Sequence, residues 1–264
     1  MRVSTPVAFF AFALATGCSA PPPPSDLIHR AYIVSKNSDQ VDVIDLNRME
    51  LIGEARTGGI AQHMGELTAD FRHLVVDSEL SNESEVIDVE KLTVVDRIKT
   101  PLHPTHITPT RDGKYFAVMA EAENAVMILD QATFKVVTTI PGFFLPHFMR
   151  MSLDGRYGYV ANLRANHITR VDLQSFTIDQ QIPLNGYPVL QAGQELESED
   201  GFADVQIDQT NGLLYAAHRK TGKVMVYDTV AQKKVTELQV GLNPWIVYAE
   251  HPFNTLPRKH MVPS

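Results

Sequence analysis

Ser152-Leu153-Asp154-Gly155-Arg156-Tyr157-Gly158-Tyr159-Val160-Ala161-Asn162 is the stretch that decides the fold. It joins a polar turn to an aromatic and β-branched run. Asp-Gly ahead of such a run is a strong hairpin signal, because a tight turn needs residues that accept positive φ. Further on, Arg170-Val171-Asp172 ends a second strand at another polar turn.

The same frame recurs on both sides. Pro104-Thr105-His106 leads through Arg111-Asp112-Gly113-Lys114-Tyr115 to Ile128-Leu129-Asp130. Ala203-Asp204-Val205 leads through Thr210-Asn211-Gly212 to Val226-Tyr227-Asp228, and a weaker copy runs from Gln62-His63 through Ala69-Asp70 to Val86-Ile87-Asp88. The turn residues Asp70, Asp112, Asp154 and Asn211 step by 42, 42 and 57. The strand-ending aspartates Asp45, Asp88, Asp130, Asp172 and Asp228 step by 43, 42, 42 and 56. Two independent markers share one period and one late excess, so an insertion lies between Ile182 and Gly201. A period near 42 with short strands predicts propeller blades. Each copy supplies four antiparallel strands, a to d. Blades stacked round an axis bury both faces of each sheet, which explains why the strands are broadly apolar. The predicted class is therefore an all-β propeller of about five blades.

The ends of the frame are less regular. Residues 29–56 supply strands b, c and d, and Trp245-Ile246-Val247-Tyr248 supplies a strand a, so the two chain ends are expected to close one blade together. Lys259-His260-Met261-Val262 then reads as a further strand b that a closed ring does not need. Either the chain is C-terminally shortened or its ring is unusual, and an open ring would leave an unpaired sheet edge.

Composition narrows the function. Among 264 residues, 31 are acidic and 23 basic, a formal charge of −8, which argues against a nucleic-acid binder. One cysteine forms no internal disulfide and no cysteine-based zinc site. Met1-Arg2 followed by the apolar stretch Val7–Ala15 reads as a signal peptide over residues 1–17. Leu14-Ala15-Thr16-Gly17-Cys18 resembles the lipobox of bacterial lipoproteins, so Cys18 is the expected lipidation site. Residues 18–27, with Pro21–Pro24, form a stiff tether, and residues 28–264 the propeller. Ser19 after the cysteine implies, by resemblance to Gram-negative lipoproteins, the periplasmic side of the outer membrane. The membrane, through the anchor, and a periplasmic protein are the expected partners.

Tyr159-Val160-Ala161-Asn162, Val171-Asp172-Leu173 and Ser152-Leu153-Asp154-Gly155-Arg156 resemble the YVTN-type (YncE-like) propeller repeat over about residues 29–250. Propellers of this kind include the d-type-haem domain of nitrite reductases, a lipoprotein of d-type haem assembly, quinoprotein amine dehydrogenase subunits and lactonases. The resemblance implies about seven blades as the commoner number. It does not choose among the functions.

The strand order places the starts of the a strands, the d–a loops and the b–c turns on one face. His63, Thr105, His147, Asp204 and Trp245 are read as one repeat position there, flanked by His103 and His106, with His218 in a b–c turn at the position of Asn162 and Glu121. His63, His103, His106 and His147 round one axis suit a metal ion, and His63, His106 and His147 are the candidate ligands of a haem iron. Met149 and Met151 read mainly as inter-blade packing, with sulfur ligation to copper or haem as the alternative. Asp204, His218 and Trp245 complete the expected axial binding face. His29, His73, His167, His251 and His260 share no position and read as surface residues. Glu195, Glu197, Glu199 and Asp200 in the insertion form either a lid over the mouth or a solvated loop. The strand-ending aspartates read as turn caps. Arg150, Arg164 and Arg170 are candidate anion contacts that no spacing singles out. No Walker loop, GxSxG elbow or GxGxxG loop is present. The sequence therefore points to a non-catalytic binding scaffold, with a haem- or copper-binding redox module as the runner-up and a lactonase-like hydrolase behind both.

Overall fold

A computed structural model describes Leu27 and residues 29–249. The expected signal peptide, Cys18, most of the expected tether, His251, His260 and the strand expected at 259–262 lie outside the described residues. The first sheet holds β1 (Arg30–Ser35), β2 (Gln40–Asp45) and β3 (Glu50–Arg56). The second holds β4 (Gln62–Leu67), β5 (His73–Ser78), β6 (Glu83–Asp88) and β7 (Thr93–Lys99). The third holds β8 (Pro104–Pro109), β9 (Tyr115–Ala120), β10 (Ala125–Asp130) and β11 (Val136–Pro141). The fourth holds β12 (Pro146–Met151), β13 (Tyr157–Asn162), β14 (His167–Asp172) and β15 (Thr177–Pro183). The fifth holds β16 (Phe202–Ile207), β17 (Leu213–His218), β18 (Lys223–Asp228) and β19 (Lys233–Gln239). Every sheet is an antiparallel meander in chain order, as the hairpin signals require.

The turns are built as the repeat implied. Asp45, Asp88, Asp130, Asp172 and Asp228 each accept N–H bonds from the second and third residues that follow. Thr68, Thr110 and Ser152 hydroxyls donate to Asp70, Asp112 and Asp154 at 2.6, 2.7 and 2.6 Å, closing the a–b turns. Gly113 and Gly155 take φ of 68° and 71° there, where a side chain would be strained. In the fifth sheet the left-handed glycine is Gly212, one position later in the repeat.

Four apolar layers, one between each pair of successive sheets, make the core. Tyr159, Ile168, Phe202, Val205 and Met225 pack between the fourth and fifth sheets. Met119, Ile128, Met149 and Val160 fill the layer between the third and fourth. Met149 and Met151 are thus packing residues. Leu27 is buried with Val41, Ala55, Leu74 and Val76 in the first layer, so propeller packing begins inside the stretch read as tether. Burying such side chains contributes about 1.5–3 kcal/mol each.

The inner strands β4, β8, β12 and β16 pack against one another in that order. β1 packs against β4 just as β5 does against β8 and β13 against β16, so β1 is a b strand. The expected strand a of the first sheet is not formed: among the described residues β1 pairs only with β2. The stretch from Leu242 to Tyr248 instead crosses the axial face. Its Trp245 ring packs on His147, and the Val247 N–H donates to the Asp204 carboxylate at 2.9 Å. A charged acceptor and an aromatic contact hold the stretch at the mouth in place of a β ladder.

Candidate axial ligand site

Each inner strand carries a bulge near its start, and the bulge builds the site. The register jumps between Gln62 and Gly65, Pro104 and His106, Pro146 and Met149, and Phe202 and Asp204. A bulge lets two successive side chains face one way against a single partner residue. His63 and His147 occupy the first bulge position, and His106 occupies the second in the strand between them. The three imidazoles therefore meet in a row. The His63 and His106 rings lie 4.9 Å apart and the His106 and His147 rings 4.4 Å, centroid to centroid. Trp245 continues the row 5.4 Å beyond His147. They line a cavity of about 390 Å³ with Phe148, Arg150, Asp204, Gln206 and Tyr248.

The outer rings are pinned by their Nδ1 atoms. His147 Nδ1–H donates to the Ala203 carbonyl at 2.7 Å, and His63 Nδ1 is hydrogen-bonded to Glu79. The bond to a carbonyl fixes the His147 tautomer and leaves its Nε2 with a lone pair. Burial, with His147 and His63 alongside, pushes His106 down to about 2, and burial also lowers His147. The His106 and His147 rings are thus neutral, the state in which imidazole ligates a Lewis acid. Glu121 stands beside them, 8% exposed, and burial pushes its carboxyl up to about 7. Asp204 is also raised by burial, and Arg150 stacks on Phe148 at 4.0 Å while donating to Gln206.

Not every expected residue joins the site. Asp204 aligns with His106 and not with His63 and His147, whose counterpart is Ala203. The aspartate step of 56 places Ala203 under His147, whereas the turn step of 57 places Asp204 there, and the strand register follows the aspartates. Glu121 aligns with Glu79 rather than with His218. His218 is excluded from the axial face: it is fully buried, Nε2 meets Asn166 Oδ1 at 2.9 Å, Nδ1 meets Thr221 Oγ1 at 3.1 Å, and burial lowers it to about 4. It is a peg between the fourth and fifth sheets. His103 lies on the rim, 3.4 Å from Glu121 and 3.9 Å from Glu79. His167 is fully buried against Phe144 and is no surface residue. Of the three arginines, only Arg150 reaches the cavity. Arg170 is consumed by Asp179 and Tyr157.

The insertion is held from the side. Glu199 pairs with Arg219 at 3.3 Å and Asp200 with Lys220 at 3.1 Å, while Glu195 and Glu197 are exposed. Arg219 in turn lies 4.5 Å over the Trp245 ring. The insertion thus reaches the mouth through the Arg219 guanidinium and through the charge of Glu199, which acts on His147 and Glu121.

Three asparagines were not among the expected residues. Asn82, Asn124 and Asn166 recur at a step of 42, just before each c strand. The first two accept N–H bonds from His103 and Leu145 at 2.8 and 2.7 Å, tying one sheet to the start of the next inner strand. The regular step was a signal available to find them.

Antiparallel meanders packed side by side, with their inner strands β4, β8, β12 and β16 in contact in that order, define the class: a β-propeller. It is YncE-like. Residues 29–150 match the model of a family described as YNCE-like beta-propeller. No curated protein sequence matches the chain. Among solved structures, hydrazine synthase of Kuenenia stuttgartiensis is similar at 16% identity over 90% of this chain and 92% of that one, with a TM-score of 0.57. The dihydro-heme d1 dehydrogenase NirN in complex with DHE is similar at 17% identity over 90% of this chain, with a TM-score of 0.54. The present chain spans 59% of the length of the NirN chain. At these identities the likeness is one of fold.

Proposed function

We propose that this protein is a lipid-anchored, periplasm-facing propeller that binds a small ligand at its axial mouth and does not transform it. The observation that carries the reading is the row of three imidazoles from three successive inner strands, flooring a cavity of about 390 Å³. The neutral rings of His106 and His147 favour a Lewis-acidic or cationic ligand, and Glu79, Glu121, Glu199 and Asp204 round the mouth favour the same charge. Small-molecule sites span roughly 300–1,000 Å³, so this cavity suits a compact ligand. The lipobox-like residues before Cys18 support the anchor.

A haem is the second reading, favoured by the imidazole donors themselves. The donor set fits an iron. The space does not, because Trp245 packs on His147 where a macrocycle would lie. Haem binding would require the stretch at 242–248 to lift.

The test is native mass spectrometry of protein released gently from its host's membrane fraction. A small non-covalent adduct is expected on the wild type and is lost in His63→Ala/His147→Ala. An unadducted wild type, or an adduct that survives the double change, refutes the reading. Cys18→Ala should move the protein from the membrane to the soluble fraction. Unchanged membrane association would refute the anchor.

A further inference from the structure

Glu121 gives the mouth a feature that the histidine row does not explain. It begins the β9–β10 turn, next to the starts of β8 and β12. One nitrogen each of His106 and His147 and one carboxylate oxygen of Glu121 lie within 4.8 Å of one another. We propose that His106, His147 and Glu121 form a mononuclear site for a divalent first-row transition cation, of the zinc or ferrous type. This rests on the axial mouth being a ligand site and deepens that reading.

Two imidazoles and one carboxylate from three separate positions are a ligand set that leaves coordination positions open for water or a small ligand. Bonds of about 2.0–2.2 Å place neighbouring donors roughly 3.0–3.5 Å apart. The set needs only side-chain rotation to close from its present spacing. His106 is 5% exposed, and its Nδ1 is buried with no hydrogen-bond partner among the described residues. Polar groups in such burial ordinarily have partners, so this nitrogen has capacity for one that the described residues do not supply.

The support for the ligands is built. The Ala203 carbonyl holds His147 by Nδ1 at 2.7 Å, which leaves Nε2 to ligate. His103 stands 3.4 Å from a Glu121 oxygen and so orients that carboxylate. Carbonyl and imidazole partners of this kind hold metal ligands in place. The Trp245 ring beside His147 narrows access from solvent. His63 stays outside the triad, committed to Glu79.

The experiment uses the propeller as purified, stripped with a chelator and titrated with Co²⁺ and Zn²⁺. The wild type is expected to bind one equivalent of Co²⁺ with visible d–d absorption, displaced by Zn²⁺. Glu121→Gln and His147→Gln should each weaken binding by about 100-fold or more, and His103→Gln by about 10-fold. His29→Gln, on an exposed residue remote from the mouth, should bind as the wild type does. Circular dichroism checks that each variant is folded, and an unfolded His147→Gln leaves Glu121→Gln as the deciding variant. No saturable Co²⁺ uptake by the wild type, or uptake unchanged in folded Glu121→Gln, overturns the proposal. If the histidine-dependent adduct seen by mass spectrometry persists without metal uptake, the triad fails and the ligand-binding reading stands. Loss of both sinks both.

Discussion

Replacing Asn162 by alanine should unfold the propeller far more easily than a surface change. Asn162 closes the motif that reveals the fold, and it is fully buried. Its Oδ1 accepts the Phe144 N–H at 3.0 Å, and its Nδ2 donates to the His167 carbonyl at 3.1 Å and the Thr169 hydroxyl at 3.0 Å. One side chain thus joins the end of β13, the start of β14 and the loop that feeds β12. Alanine removes all three bonds and strands a buried N–H at Phe144. A stranded buried donor costs about 1–3 kcal/mol and each neutral bond contributes about 1 kcal/mol, so the loss should total about 3–5 kcal/mol. With a urea dependence of about 2–3 kcal/mol per molar, the unfolding midpoint should fall by roughly 1–2 M. Urea titration followed by far-UV dichroism measures this, and Trp245, the single tryptophan, reports on the mouth in the same samples. Asn162→Asp keeps the acceptor, loses both donated bonds and buries a charge, so it should be no more stable at pH 8. A midpoint within about 0.3 M of wild type for Asn162→Ala would show that the motif asparagine does not hold the blade.

Burial raises Asp77 from 3.8 to about 7. The folded state holds that proton more tightly than the unfolded chain, so stability from this group falls as pH rises from about 4 to 7, by up to ~4 kcal/mol. Asp77→Asn should flatten that slope in melting curves, and an unchanged slope would refute the assignment. His167 acts in the opposite sense. Burial lowers it to about 4, so stability is lost as pH falls from about 6.5 to 4, by up to ~3 kcal/mol. His167→Phe should remove that acid-side loss in the same assay. A Cβ on Gly201 would come within 2.3 Å of the Ala165 carbonyl oxygen and 2.6 Å of that of Asn162. Both are backbone atoms, so Gly201→Ala should cost about 1–3 kcal/mol, read as a drop in the thermal midpoint. A variant as stable as wild type would mean that the insertion yields freely.

The repeat period alone determined how many sheets form and what most turn residues do. Asp130 and Asp172 cap the turns that follow them because a short carboxylate finds the nearest free N–H groups, and that is local chemistry. The alternation of each strand likewise decided that Met149 would pack between sheets. Which histidines meet was not decided locally. A bulge in every inner strand moves the facing residue by one, so His106 joins His63 and His147 while Thr105, at their repeat position, does not. Glu121 comes to that row from a turn that no ligand motif marks. The stretch bearing Trp245 was legible as a β-rich run, yet it crosses the mouth because Asp204 and His147 bind it more specifically than the β1 edge does. Spacing along a chain encodes turns and faces. The meeting of side chains from three strands depends on register and on the packing of whole sheets, and only the folded molecule supplies those.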